Sequence, residues 1–407
     1  MATVYESKLE FAEKSVFSLK NKVLKLDTYD QVKPYIEQLS NKKDLQKIDL
    51  SGNTISPEVT KHLAKEFLNH KNSLRELNLQ DIYTSRDKNE IPASLKEFFA
   101  AILQLPHLQV LNLSDNAFGQ DTIEVLEDFI SKCKYVEHFI MSNNGLGPLS
   151  GSRVGKALFK MAKLREIAKE KDADVRSLKT FWCGRNRLES GSAEFMALGL
   201  RSNKHLEDVR LYQDGIRPNG IARLIHHGLS YLHDLQVLDL DDNTFTVAGS
   251  IALADALSSW PELKVLNVND CLLKAKGSIK LLEKLAEISD KSKLQQIKLQ
   301  YNELDSDSLK LLVGLLPSMV RIPDLELNGN VFEEDSEYID KLNSIFTIKG
   351  SGSLDELDDL EEPDSEEEES SSEDENESEK EEDDEQRKEV EARLISLEEQ
   401  LAGTHII

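Results

Sequence analysis

Cysteine is scarce in this chain, with three in 407 residues: Cys133, Cys183 and Cys271. Their spacing fits neither a disulfide scaffold nor a zinc site, and free thiols suit a reducing compartment. Long apolar runs are missing too. No stretch approaches the roughly 20 residues of a membrane-spanning helix. The opening MATVYESKLEFAEKSVFSLKNK lacks the apolar core of a secretory signal. Nucleotide-binding signatures are also absent, because GLGPLSG at 145–151 is not followed by Gly-Lys-Ser/Thr. No His, Cys and carboxylate cluster has metal-ligand spacing. No Ser or Cys can be paired with a base from sequence alone. The expectation is an intracellular soluble protein, away from the membrane, with no metal or cofactor of its own.

Positive charge is in deficit: 50 Lys and Arg face 75 Asp and Glu, a net of -25. The deficit is local. Residues 351–407 hold 25 acids and 4 bases, leaving about -4 for the first 350 residues. That sign argues against direct nucleic-acid binding, which depends on neutralising phosphates. The run DELDDLEEPDSEEEESSSEDENESEKEEDDEQ, 355–386, has too little apolar surface to fold alone and is expected to be disordered. It is suited to drawing in a basic partner. The expected organisation is residues 1–350 as one repeat domain with an N-terminal cap, 351–390 as an acidic tail, and 391–407 as a short terminal segment. Val390, Leu394, Leu397 and Leu401 give that last stretch a weak helical pattern, suited to docking on another protein or to serving as a transport signal.

What the sequence has in plenty is one phrase, L-x-x-L-x-L-x-x-N. It ends at Asn53 (LQKIDLSGN), Asn116 (LQVLNLSDN), Asn243 (LQVLDLDDN) and Asn330 (IPDLELNGN). The register continues through Ile82, Asn144, Asn186, Asp214, Cys271 and Asn302, mostly at 28 or 29 residues. This predicts an α/β fold, a leucine-rich repeat solenoid of about eleven strand-helix units in a ribonuclease-inhibitor-like horseshoe. Alternate strand residues point into the core and their neighbours face a concave surface. The repeated Asn is expected to be scaffold, its amide satisfying backbone where the chain leaves each strand. VLKL at 23–26 is expected to be an atypical first strand, and the ordered repeats are expected to end near Lys349. Gly119, Gly147, Gly191, Gly220 and Gly249 precede helices and read as turn residues. Cys183 and Cys271 fall on core positions.

Departures from the repeat mark candidate function. LNLQDIYTSRDKNEIP, 77–92, replaces the ladder Asn with Ile82 and adds a polar excursion carrying Arg86 and Lys88. Arg86 suits a bidentate contact to a partner carboxylate or phosphate; the plainer reading is a solvated arginine in a long loop. In FIMSNNGLGP, 139–148, Asn143 precedes the ladder residue, where an amide can donate and accept together. The 42-residue interval before Asn186 brings Trp182, expected to face outward, beside Arg185. Such a Trp reads either as an interface anchor or as packing on a neighbouring strand. Asp115, Gln213, Asp214, Asp241 and Asp242 place acidic and polar groups along one rim, fitting basic residues of a partner.

DIYTSR at 81–86, LSDNAFG at 113–119, NNGLGP at 143–148, CGRNRLE at 183–189, GIRP at 215–218, LDLDDNTFT at 238–246, NDCLL at 269–273 and LQYNE at 299–303 closely resemble the fungal Ran GTPase-activating proteins. The resemblance covers residues 1–360 and includes non-consensus positions. It implies an activator of GTP hydrolysis by the small GTPase Ran in its GTP form, with a Ran-binding protein as a third member of the complex. GTP and magnesium then sit on the partner. It implies a cytoplasmic monomer that supports nucleocytoplasmic transport. It also implies that no arginine finger is used, that the family's key asparagine falls on Asn143, and that Arg86 supports activity and binding. Lys88 and the acidic rim are then contact residues. The alternative is a leucine-rich repeat interaction or inhibitor protein that binds a partner without accelerating any reaction.

Overall fold

The structure, a computed structural model, describes residues 5–321, 323–333, 335–361 and 384–403. It divides into two compact units, one reaching to Asn186 and the other running from Arg187 to Gly403. The first unit contains strands β1 Val16–Ser18, β2 Lys25–Leu26, β3 Lys47–Asp49, β4 Thr54–Ile55, β5 Glu76–Asn78, β6 Val110–Asn112, β7 His138–Ile140 and β8 Thr180–Trp182. Its helices are α1 Tyr29–Ser40, α2 Pro57–Asn69, α3 Ile91–Ile102, α4 Ile123–Lys132 and α5 Gly147–Ala168. Strands β1, β3, β5, β6, β7 and β8 form a parallel sheet in that order, and β2 pairs with β4. The expected α/β architecture of strand-helix repeats is therefore present.

The register follows the leucine pattern. Ile48, Leu77, Leu111, Phe139 and Phe181 are cross-strand partners and all are buried. Helices pack on that face; Phe67 stacks on Phe98 and Phe99 on Phe129 at centroid distances of 5.4 and 4.0 Å. Helix starts follow local chemistry. Ser56 Oγ accepts from Val59 N at 3.2 Å just before Pro57, whose missing N–H is no loss in a first turn.

The asparagine ladder has the predicted role. Asn144 Oδ1 accepts from Asn116 N at 2.9 Å, while its Nδ2 donates to Leu113 O and Met141 O at 3.1 and 2.9 Å. Asn186 Oδ1 accepts from Asn144 N at 2.9 Å, repeating the pattern one unit on.

The second unit has β9 Asp208–Arg210, β10 Val237–Asp239, β11 Val265–Asn267, β12 Gln296–Lys298 and β13 Asp324–Glu326, parallel in that order. Its helices are α6 Glu189–Ser202, α7 Pro218–His227, α8 Thr246–Ala256, α9 Lys274–Glu287, α10 Ser306–Leu315, α11 Glu337–Lys349 and α12 Asp384–Gly403. Asn302 Oδ1 accepts from Cys271 N at 3.0 Å, and Cys271 Sγ reaches Leu240 O at 3.3 Å, so the thiol stands in at a ladder position. All three cysteines are buried thiols outside any disulfide.

Four expectations need correction. The first strand of the main sheet is Val16–Ser18, not VLKL. Phe17 alternates into the core opposite Ile48, while Lys25–Leu26 pairs with Thr54–Ile55 at the strand exits. Gly191, Gly220 and Gly249 lie inside helices rather than in turns. At Gly220 a Cβ would sit 2.9 Å from Ser190 Cα, so the glycine permits close helix approach. Order also continues past Lys349: Leu354 and Glu361 bridge to Leu325 and Val331, and Asp355 accepts from Leu327 N and Asn328 N at 2.8 and 3.1 Å. The start of the acidic run therefore satisfies backbone at the edge of β13; residues 362–383 lie outside the described residues. Finally, the expected terminal helix is present as α12, but it begins at Asp384, within the stretch expected to be acidic tail, and it packs on α6 and α7 of its own chain.

Candidate functional site

The residue before each ladder position takes left-handed backbone. In the first unit these are Gly52, Asp81, Asp115, Asn143 and Arg185, with φ of 70, 50, 60, 56 and 59°. In the second they include Gln213, Asp242, Asp270, Tyr301 and Gly329, at 53, 52, 50, 52 and 72°. Asn, Asp and Gly tolerate this region best. The sharp exit from each strand thus explains why those types recur, and it turns their side chains out along the strand ends. Arg185 and Gln213 hold the same conformation without that preference and are exposed.

Asn143 is half-buried on this edge of the first unit. Its N–H donates to Gly184 O at 2.9 Å, fixing the backbone. Its Nδ2 donates to Asp115 Oδ1 at 2.7 Å, and Gln80 Nε2 donates to Asp115 Oδ2 at 2.7 Å. The carboxylate is thereby held from both sides, and it turns the Asn143 amide so that the oxygen is left as the acceptor. That oxygen accepts no hydrogen bond among the described residues. The arrangement can receive an N–H or a water proton at a fixed point, and the remaining lone pairs of Asp115 favour a cationic or amide donor beside it.

Arg86 behaves differently from the solvated arginine. Its side chain is only 9% exposed. Nη1 lies 2.6 Å from Asp27 Oδ1, and Nη2 donates to Leu26 O and Thr54 O at 3.2 Å each. Glu90 is 3.9 Å away. Tyr83 is buried in the same loop, its hydroxyl donating to Ser94 Oγ at 2.9 Å, and burial raises its pKa. The excursion is a built element pinned to the N-terminal repeats. Arg86 cannot project as a finger without breaking these contacts. Lys88 is 75% exposed and pairs with Asp121 at 3.2 Å, a surface contact worth little by itself.

Of the two readings of Trp182, packing on a neighbouring strand holds and the exposed anchor does not: Ile140 of β7 is its cross-strand partner. Trp182 packs with Val110 and Ile140 on the open face of the sheet, under Tyr5 and Leu9, with the Tyr5 ring edge-on at 5.2 Å. The N-terminal segment covers it, which strand alternation alone does not foresee. Asp214 is also no rim acid, because as a ladder residue its side chain is fully buried.

In the second unit Asp242 is exposed and accepts from Gln213 Nε2 at 2.9 Å, with Asp241 half-buried beside it. Burial, then Asp242 and Asp270, push the Asp241 carboxyl up to about 6. Buried Asp239 is also raised to about 6, by burial first, against the pull of Arg210. This face concentrates negative charge. Among the described residues, no group of three or more His, Cys, Asp or Glu is arranged to hold a metal.

The structure brings Asn143 and Asp115 into contact and ties Arg86 elsewhere. Sequence reasoning missed Gln80 and Asp27. Gln80 was visible as a polar residue two positions past the strand. Asp27 carried no signal, lying 59 positions from its partner.

A family model described as a leucine-rich repeat matches residues 104–121. The chain is 46% identical over 343 residues to Ran GTPase-activating protein 1 of Saccharomyces cerevisiae, covering 82% of this chain and 83% of that protein. It is 38% identical over 209 residues to Ran GTPase-activating protein 2 of Caenorhabditis elegans, covering 51% of this chain and 21% of that protein. It is 31% identical over 336 residues to Ran GTPase-activating protein of Drosophila melanogaster, covering 81% and 55%.

Proposed function

This chain belongs to the Ran GTPase-activating protein family, and from that premise we propose that it accelerates GTP hydrolysis on Ran. Ran in its GTP form is the partner, and the nucleotide with its magnesium is Ran's. The chain acts as an activator rather than as a hydrolase in its own right. The observation that carries the mechanism is the Asn143 amide, held by Asp115 with its oxygen open.

Phosphoryl transfer needs a placed water and stabilised charge more than new covalent chemistry. In this reading the Asn143 oxygen accepts from the side-chain amide of Ran's own catalytic glutamine and orients it on the attacking water. The gain comes from orientation. Arg86, with its guanidinium bound to Asp27, Leu26 and Thr54, shapes the docking edge and supplies no charge to the phosphates. Lys88, Arg185 and the acids Asp241 and Asp242 are contact residues that steer the partner. A Ran-binding protein can join the complex on Ran. Cytoplasmic action on Ran would give direction to transport between nucleus and cytoplasm.

The test uses purified Ran loaded with GTP and substoichiometric amounts of this chain. Many turnovers of GTP per molecule of chain support activation. Binding that leaves hydrolysis at its intrinsic rate, or slows it, supports the inhibitor reading.

A further inference from the structure

The outer surface of a repeat helix normally faces water, yet on α6 and α7 Arg201 and His227 are only 7% and 6% exposed at the side chain. What covers them is α12. That helix turns a single stripe inward: Val390 and Glu391, then Leu394, then Glu398. Leu394 is fully buried and Val390 nearly so. Glu398 Oε1 accepts from Arg201 Nε and Nη2 at 3.0 and 2.8 Å, and Glu391 Oε1 accepts from Arg201 Nη1 at 2.8 Å. Glu391 Oε2 lies 2.9 Å from His227 Nδ1. The Arg201 guanidinium also stands over the Tyr231 ring, 5.6 Å from its centroid. At the margins Arg393 pairs with Glu194, and Arg387 lies 3.4 Å from Asp255.

We propose that the α6–α7 surface is a reversible binding site for an acidic amphipathic helix, and that the chain's own α12 is its resident occupant. The recognition code is Glu, Leu, Glu at positions i, i+3 and i+7. One arginine reads both carboxylates with fixed geometry, which a lysine cannot reproduce. The leucine fills the space between the two helices. Docking is reversible because its apolar anchor is small, two side chains, and its specificity is ionic; such an element sits at the low-stability end of a fold. Docked, α12 hides the stripe that it would otherwise offer to another protein. A partner helix carrying the same pattern fits the same groove and releases α12. The proposal does not depend on the activity toward Ran.

The probe is a labelled peptide of residues 384–403, added to the full-length chain and to its Leu394→Glu variant. Leu394 lies outside the repeats, so this change frees the groove without touching their core. The peptide should bind the variant at least about tenfold more tightly than the unaltered chain, where the tethered helix competes at high effective concentration. Adding Arg201→Glu should abolish that binding, and a peptide with Glu391→Arg and Glu398→Arg should recover part of it. In the unaltered chain, raised ionic strength should speed amide exchange across 384–403. Equal binding to the chain and the Leu394→Glu variant, no binding to that variant, or binding indifferent to Arg201→Glu overturns the proposal.

Discussion

At the residue scale, one amide does two jobs in neighbouring positions. The ladder asparagines are sealed in: Asn116 Nδ2 donates to Leu79 O and Leu113 O at 2.9 Å each, and Oδ1 accepts from Ile82 N at 2.9 Å. Asn116→Ala orphans those groups and should cost about 1–3 kcal/mol. Urea unfolding should show this as a lower midpoint, and an unchanged midpoint would mean that water replaces the amide there. Asn143 stands one position before its ladder residue and faces outward. Its identity is partly a backbone choice, since its φ is 56°, and partly chemical. The two contributions separate experimentally. Glycine keeps the backbone at 143 and removes the amide, whereas alanine also strains the turn.

At the element scale, Arg86 ties the loop at 81–90 to Leu26, Asp27 and Thr54. Arg86→Ala removes the ties to Asp27, Leu26 and Thr54 and should speed amide exchange across the loop. It should lower kcat/KM for the Ran reaction by making the docking edge mobile. Arg86→Lys should not restore it, because a single ammonium cannot reproduce the guanidinium fork. Recovery by lysine would show that charge alone matters. The strand-helix repeats themselves were legible from leucine spacing, as was the ladder, because each three-residue strand buries its central residue, such as Ile48, Leu77, Leu111 and Leu238. The anchoring of Arg86 was not, because Asp27 is remote in sequence. Packing of Trp182 on its neighbouring strand was one of two readings, but its cover by Tyr5 and Leu9 was not legible, because that segment has no repeat character. Helix α12 was readable as a pattern, but its seat on Arg201 and His227 required the fold.

At the scale of the whole molecule, charge decides how a partner is met. Asp239 and Asp241, both raised to about 6 from 3.8, make the native second unit a better proton acceptor than the unfolded chain. Their contribution to stability is therefore full below about pH 4 and is lost as pH rises through about 6. Asp239→Asn combined with Asp241→Asn should flatten the pH dependence of the urea midpoint between about pH 4 and about pH 6. Identical slopes in variant and parent would contradict the assignment. The same protonation removes negative charge from this face, so association with Ran should weaken toward the acid end of that range. The role of Asn143 is read out by single-turnover hydrolysis of GTP on Ran at saturating amounts of this chain. Asn143→Gly and Asn143→Ala should both lose most of the acceleration while binding is largely kept. Full acceleration by either variant at saturation would show that the Asn143 amide does not orient the catalytic glutamine.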